Sequence, residues 1–406
     1  WSVPNQDANT INSIFSTPGI AYSFTDGGTD ATAWNSVATP AMSTGVGYMI
    51  TGQASNTHAF TGAVTEQAII TVSTSATGYK LVGNPYVCFL DLHNGSTGFF
   101  DVNTHLTGTA YFWIDDGSTG SGYTSADWAS WNSLGTVTAN SVTPAGNIAV
   151  AQGFFVDVSS VSDVTFRSDM LTTTKEDFHK KPAPDIQRFW LNLIDSSGDY
   201  SETLLGFTDS ATLGFDRCYD GRKSLVHGNM ALYTDLQGEP YMIQAYPKLV
   251  SSQIIPLGVI TNDDGDFTFS LKAADNLPAG TSLVLEDQYT NTFHQLDSSD
   301  YVVNLQQDTF DNRFFIHVNI LATDLEEVST QDLIYVYHNN GTANVSGLRN
   351  CGHINTIEVY DLSGRMISNS IINRELSDFA IDQQGKGVYF IRIESEAGTF
   401  VKKIFI

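Results

Sequence analysis

The chain has 406 residues, is 41% hydrophobic and 12% aromatic, and carries 19 Lys and Arg against 44 Asp and Glu, a net charge of −25. That length leaves room for two to four domains with ordinary packed cores. So negative a surface repels nucleic-acid phosphates and anionic lipid headgroups, which argues against a nucleic-acid partner, and no apolar run reaches the eighteen residues or so that a membrane-spanning helix needs. Charged residues make up only 16%, against about 25% in typical domains. The polar complement is Thr, Ser, Asn, Gly and Asp, which suits short strands joined by turns. Cys88, Cys218 and Cys351 are odd in number and far apart, so neither a disulfide framework nor a zinc site is implied, and each reads as a small apolar residue. The opening "WSVP" reads as the interior of a longer precursor.

Helical periodicity is nearly absent. "SADWASWNSL" (Ser125–Leu134) is the best local candidate and reads as one or two helical turns. Elsewhere, short apolar or alternating runs are broken every eight to twelve residues by Gly, Asn, Asp or Pro. That spacing is the pattern of an all-β chain of antiparallel β-sandwiches.

Residues 1–170 form a first β-rich module, marked by "YKLVGNPYVCFLDL" (Tyr79–Leu92), "TAYFWIDDG" (Thr109–Gly117) and "IAVAQGFFVDV" (Ile148–Val158). Gly45 and Gly153 each precede an aromatic strand and allow a bulge or close backbone approach. Residues 171–187, "LTTTKEDFHKKPAPDIQ", read as an extended linker around Pro182 and Pro184. Residues 188–322 hold eight strand-like runs, from "RFWLNLID" to "RFFIHVNI", enough for one sandwich. In one of them Phe267, Phe269 and Leu271 alternate with Thr268, Ser270 and Lys272, a half-buried strand. A connector at 323–330 leads to residues 331–406, a tandem third module of small immunoglobulin-like size with seven short strands. The charge is nearly balanced there: from Val328 onward seven basic residues face eight acids, whereas Lys80 and Arg167 are the only basic residues up to Arg167. Asp361 and Gly364 fit the first and fourth positions of a type I turn, and Tyr389, Ile391 and Ile393 share one face of a terminal hairpin that turns at Gly398.

No metalloprotease, serine-hydrolase, P-loop or dinucleotide signature occurs, and the nine histidines are scattered singly. The expectation is therefore a chain without enzymatic activity and without an organic cofactor. Asp263, Asp264 and Asp266 ("DDGD") cluster enough oxygens for a calcium ion, but equally form a plain hairpin turn. The aromatic run Tyr111–Trp113 could stack on a sugar or be buried on both faces of a sandwich.

The third module resembles the C-terminal sorting domain (type A) of the type IX secretion system of Bacteroidetes-type bacteria. The matching stretches are "VYDLSGRMI" (Val359–Ile367) and "GKGVYFIRIESEAGTFVKKIFI" (Gly385–Ile406). Asp361, Gly364, Arg365, Gly387, Tyr389, Gly398, Lys402 and Lys403 fall in the family's order and spacing; the "DQQGKG" lead-in departs from it. Upstream, "YKLVGNPY", "AQGFFV" and "RFWLNL" are similar to recurrent elements of surface proteins from the same group. The resemblance implies export across the outer membrane to the cell surface or extracellular space. Its partners would be the secretion translocon and the outer-membrane attachment machinery, with cleavage in the connector near Asp324–Thr330. It also implies that Ser210, in "DSA" (Asp209–Ala211), is a candidate O-glycan acceptor.

The functional expectation is the C-terminal portion of an adhesin-like or structural cell-surface protein, with self-association or a surface glycan as further partners. Two alternatives stand beside it. One is a subunit of an extracellular fibre. The other is a carbohydrate-binding or hydrolase cargo whose active part lies upstream of residue 1. Lys402 and Lys403 are expected to face the secretion machinery or to keep an edge strand soluble.

Overall fold

A computed structural model describes residues 1–4, 10–15, 20–28, 31–37, 41–51, 58–64, 67–114, 127–139, 142–173, 186–224, 230–320, 335–339, 342–346, 348, 352–361, 364–375, 378–381, 388–396 and 398–405. Strand accounts for 55% and helix for 5%, arranged in several sheets that are antiparallel but for one strand pair, so the fold is the all-β architecture expected. The connector 323–330 carries no described residue; of the linker, residues 171–173, 186 and 187 are described, and Leu171–Thr172 is a short strand paired with Phe89–Asp91.

The first module is built on a five-stranded antiparallel sheet in the order Gly78–Gly83, Gly153–Val158, Leu106–Trp113, Trp128–Trp131, Thr136–Val137. Phe99, Phe100, Phe154 and Phe166 fill the core beneath it with at most 1% exposure. Of "SADWASWNSL" residues 127–134 are described, and after a 3-10 position at Asp127 they do not form the expected helical turns. Trp128–Trp131 is a strand, with Trp128 directly opposite Trp113. Cross-strand pairing with an aromatic neighbour outweighs a weak local helical preference. The "GNPY" turn has a structural reason: Asn84 is fully buried and donates to the carbonyls of Cys88 and Ala149, while its Oδ1 accepts from the Tyr86 N–H. Gly45 takes φ +80°, and a Cβ there would lie 2.7 Å from the Val72 side chain, the close approach its sequence position foretold.

The second module is one eleven-stranded sheet rolled on itself. Its order runs Thr292–Gln295, Ser282–Asp287, Thr309–Asn319, Gln253–Ile260, Ala231–Leu236, Glu239–Pro247, Tyr200–Thr208, Gln187–Ile194, Gly265–Asp275, Tyr301–Leu305, and the short strand Gly221–Arg222 also pairs with Glu239–Pro247. Phe267 and Phe269 are buried as their alternation implied. The roll is closed by Phe269 against Phe314 at 4.8 Å and by Tyr301, whose hydroxyl donates to Asp287 Oδ2 at 3.1 Å. Tyr200–Thr208 and Glu239–Pro247 run parallel. Parallel neighbours need a long crossover, and the segment between them supplies it.

That crossover does more than return the chain. From Asp209 to Arg222 it lies against the first module. Arg217 donates Nε to Leu106 O at 2.7 Å and Nη2 to Asn103 O at 3.0 Å and to Phe100 O. Cys218 N–H bonds Thr107 O, Ser133 N–H bonds Cys218 O, and Asn132 Nδ2 bonds Tyr219 O. A shared cluster joins the two sheets: Leu134, Val137, Tyr111 and Phe155 from the first against Leu204, Met242, Ile243 and Ala245 from the second. Leu134, Leu204 and Ile243 are fully buried. At roughly 1.5–3 kcal/mol for each large apolar side chain, these contacts hold the modules together as one packed body.

The third module packs a three-stranded sheet (Tyr335–Asn339, Thr342–Ser346, Asp378–Ile381) with a four-stranded one (Met366–Glu375, His353–Asp361, Val388–Ser395, Gly398–Phe405). Ile354, Ile391 and Ile393 are fully buried, and Tyr389 is half-buried against that core.

Candidate functional site

The four-stranded sheet of the third module carries the sorting residues, and its geometry explains several of them. Gly364 N–H bonds Asp361 O at 2.9 Å, closing the turn after His353–Asp361. Gly364 sits at φ +81°, a conformation open to glycine and costly for residues with a Cβ. Asp361 then holds Arg365 twice: Oδ1 accepts its backbone N–H and Oδ2 its Nε, each at 3.0 Å. Tyr389 lies directly opposite Asp361 on the next strand. Asp361, Gly364, Arg365 and Tyr389 thus converge at one end of the sheet.

Gly398 is at the other end. It takes φ +129° where the final hairpin turns, opposite Ser395, whose Oγ donates to Gly398 O. Lys402 lies mid-strand opposite the buried Ile391, and Lys403 lies opposite Phe390. Neighbouring strand positions alternate between faces, so the two lysine positions belong to opposite sides of the sheet. Gly387 lies outside the described residues, and of Lys403 only the backbone is described.

One element of this sheet escaped the sequence reading. On the face away from the core, Arg392 Nη1 donates to Glu358 Oε2 at 2.7 Å and its Nη2 reaches Glu394 Oε1. Tyr360 OH donates to the same Glu358 oxygen at 2.9 Å. These bonds hold the Glu358 carboxyl below its ordinary value. The signal was available: Glu358, Tyr360, Arg392 and Glu394 occupy the alternate positions between Ile357, Val359, Ile391 and Ile393.

Comparison with known families divides the chain in two. Residues 339–406 match the secretion system C-terminal sorting domain. Residues 1–318 match a domain of unknown function, DUF8693. The chain belongs to the DUF8693 family. No curated protein matches it. The sorting domain marks this DUF8693 protein as a type IX secretion cargo, exported to the cell surface or extracellular space, and implies contact with that machinery. The DUF8693 match runs through both packed sandwiches.

The remaining candidate residues lie in the DUF8693 region. Ser210 is exposed in the turn that opens the crossover. Asp264 Oδ1 accepts the Gln307 N–H and Asp266 Oδ1 accepts Asn304 Nδ2, each at 2.8 Å, so both carboxylates serve the turn; Asp263 is exposed. Among the described residues no group of three or more His, Cys, Asp or Glu is placed to hold a metal ion. Among them, no helix is long and apolar enough to cross a membrane. In the run Tyr111–Trp113, Tyr111 and Phe112 are buried and Trp113 is half-buried. Lys223 donates to Ser201 Oγ at 2.8 Å, and burial pushes its amine down to about 8. Ser201 is fully buried and its Oγ also accepts the Leu232 N–H, so the pair reads as a packing contact.

Proposed function

We propose that the DUF8693 region is a non-catalytic, adhesin-like or structural body displayed outside the cell, and that the sorting domain is its detachable or retained address. The observation that carries this reading is the fused interface. The crossover Asp209–Arg222 and the Leu134, Leu204 and Ile243 cluster bind two sandwiches into one unit, so a load on one is passed to the other. A body of that kind suits display under shear better than it suits domain closure around a substrate. Its acidic, low-charge surface fits an exposed setting.

The test is made in a bacterium with a working type IX system. Cells displaying the full chain should adhere to coated surfaces or to one another more strongly than cells without it. Deleting residues 339–406 should hold the chain in the periplasm and remove that difference. Full display with no change in adhesion or cohesion would sink the adhesin-like reading.

A further inference from the structure

A cavity of about 400 Å³ opens at the edge of the first sandwich, where two motifs singled out in the sequence meet. "TAYFW" supplies Phe112 and Trp113, and "AQGFF" supplies Gln152 and Phe155. Trp34 forms another wall, and its half-buried indole is fixed edge-on to Phe24 at 5.1 Å and to Phe155 at 5.8 Å. Trp113 is likewise held edge-on to Trp128 at 5.1 Å. Both indoles are therefore pre-set by their neighbours while keeping surface to offer.

Three properties of the lining narrow what fits. Among the described residues no lining side chain is charged, in a chain of net charge −25. An ionic ligand would lose its hydration there without gaining a counter-charge. Two of the polar side chains present, Gln152 and Trp34, are donors with spare capacity, whereas the Tyr48 hydroxyl already accepts the Ser43 N–H. Gln152 Oε1 accepts the Ala149 N–H at 2.9 Å. Its Nε2, like Trp34 Nε1, has no partner among the described residues. A purely hydrocarbon ligand would cover those donors and leave them unmade, which costs about 1–3 kcal/mol for each buried group. The size lies at the small end of the roughly 300–1,000 Å³ typical of ligand pockets, enough for about one or two sugar rings. A pyranose has an apolar C–H face for an indole and hydroxyls that accept from N–H donors at its rim.

We propose that this pocket binds a neutral saccharide, stacked on Trp34 or Trp113, with hydroxyls held by Gln152 Nε2 and Trp34 Nε1. It gives the adhesin-like reading a ligand, and it is tested on purified protein, so it stands or falls apart from surface display.

The probes are methyl glucoside, galactoside, mannoside and N-acetylglucosaminide, their common disaccharides, and the matching uronic acids and sulfated sugars. Each is titrated into the full chain, read by tryptophan fluorescence and saturation-transfer NMR. At least one neutral sugar should bind, and its uronic or sulfated counterpart should bind more weakly. Gln152→Glu keeps the acceptor for the Ala149 N–H, removes the donor and places a carboxylate in the neutral pocket. It should weaken binding about tenfold or more with an unchanged melting temperature. Trp34→Leu should abolish binding, and the Gln152 variant keeps the test sound if that chain fails to fold. The proposal is overturned if no neutral sugar perturbs the tryptophan signals, if charged sugars bind as well, or if Gln152→Glu leaves the affinity unchanged.

Discussion

Arg217 donates its Nε to the carbonyl oxygen of Leu106 at 2.7 Å, a bond between residues 111 apart in sequence that joins the crossover of one sandwich to the central sheet of the other. The same guanidinium reaches Asn103 O and Phe100 O. Phe100 lies in the short helix Phe99–Val102, so the group meets a carbonyl that the helix end leaves without an intrahelical partner, while Asn103 O also accepts the Leu106 N–H. A planar fork with five donors can serve several carbonyls at once, and an ammonium cannot match that geometry.

Arg217→Met keeps an apolar stem of similar length but removes the bonds to Phe100 O and Leu106 O in a part-buried contact. Hydrogen bonds to charged groups contribute about 1.5–3 kcal/mol each, and they are not additive. The expected loss is about 3 kcal/mol, read as a lower urea midpoint with an unchanged slope. Arg217→Lys should recover less than half of it. A midpoint equal to the parent's would mean that the crossover does not clasp the two sandwiches.

Asp220 makes the same clasp sensitive to pH. Its Oδ1 accepts the Ala245 N–H and its Oδ2 the Asp216 N–H, both at 2.7 Å. Burial pushes the carboxyl up from 3.8 to about 7 despite those bonds, and the neighbouring Asp216 adds to the rise. A raised folded-state value means that the fold favours the protonated form. The stabilisation is complete below pH 3.8 and is lost as pH rises through about 7. Its size is on the order of 4 kcal/mol. Asp220→Asn cannot titrate, and its amide costs a constant offset beside the Asp216 N–H. Stability curves of parent and variant should therefore converge from pH 4 to pH 7 and run parallel above. Parallel curves throughout that range would remove Asp220 from the pH response.

Gly108 shows how closely the two modules approach. It takes φ +93°, and a Cβ built on it would lie 2.5 Å from Cys218 Sγ and 2.7 Å from the Cys218 backbone. Gly108→Ala meets both a strained backbone and an overlap that no rotamer relieves. The expected cost is about 2–4 kcal/mol, seen as a fall in melting temperature. A Cys218→Ala background removes the sulfur clash but not the backbone one, so it should return only part of the loss.

These contacts mark where the sequence stops being readable. The strands of the second sandwich follow from alternation, as Phe267 and Phe269 do, because a period of two is a local property. The Asp361–Gly364 turn is local as well, and it forms as its residue types dictate. The stretch "DSATLGFDRCYDGR" reads only as a polar connection, because its partners at Phe100 to Thr109 lie about a hundred residues away. Lys80 stands out in composition as a lone cation, yet no spacing rule could find its acceptors: Asp26, 54 residues upstream at 2.9 Å, and Ser73 O. "SADWASWNSL" misled for a related reason, since Trp128 takes its conformation from Trp113 on the facing strand. The aromatic pocket was half visible. The two motifs that line it pair directly as neighbouring strands, but its further wall, Trp34, sits in a separate three-stranded sheet.

The last prediction concerns the address itself. Asp361 ties the turn by accepting two bonds from Arg365, and Gly364 provides the backbone conformation that lets it do so. Arg365 is 76% exposed along its side chain, so its ion pair with Asp361 contributes little to stability. The arrangement instead fixes the shape and charge of one end of the sheet, beside Tyr389. Asp361→Asn and Arg365→Gln should therefore lower the melting temperature only slightly, by the equivalent of about 1 kcal/mol or less. Gly364→Ala should cost about 1 kcal/mol through its φ. If that end of the sheet is what the secretion machinery reads, surface delivery should fall in all three while the domain stays folded, as judged by protease resistance of the periplasmic pool. Delivery at the parent's level in Asp361→Asn and Arg365→Gln would move recognition to another surface, such as the opposite face that carries Arg392, Glu358 and Tyr360.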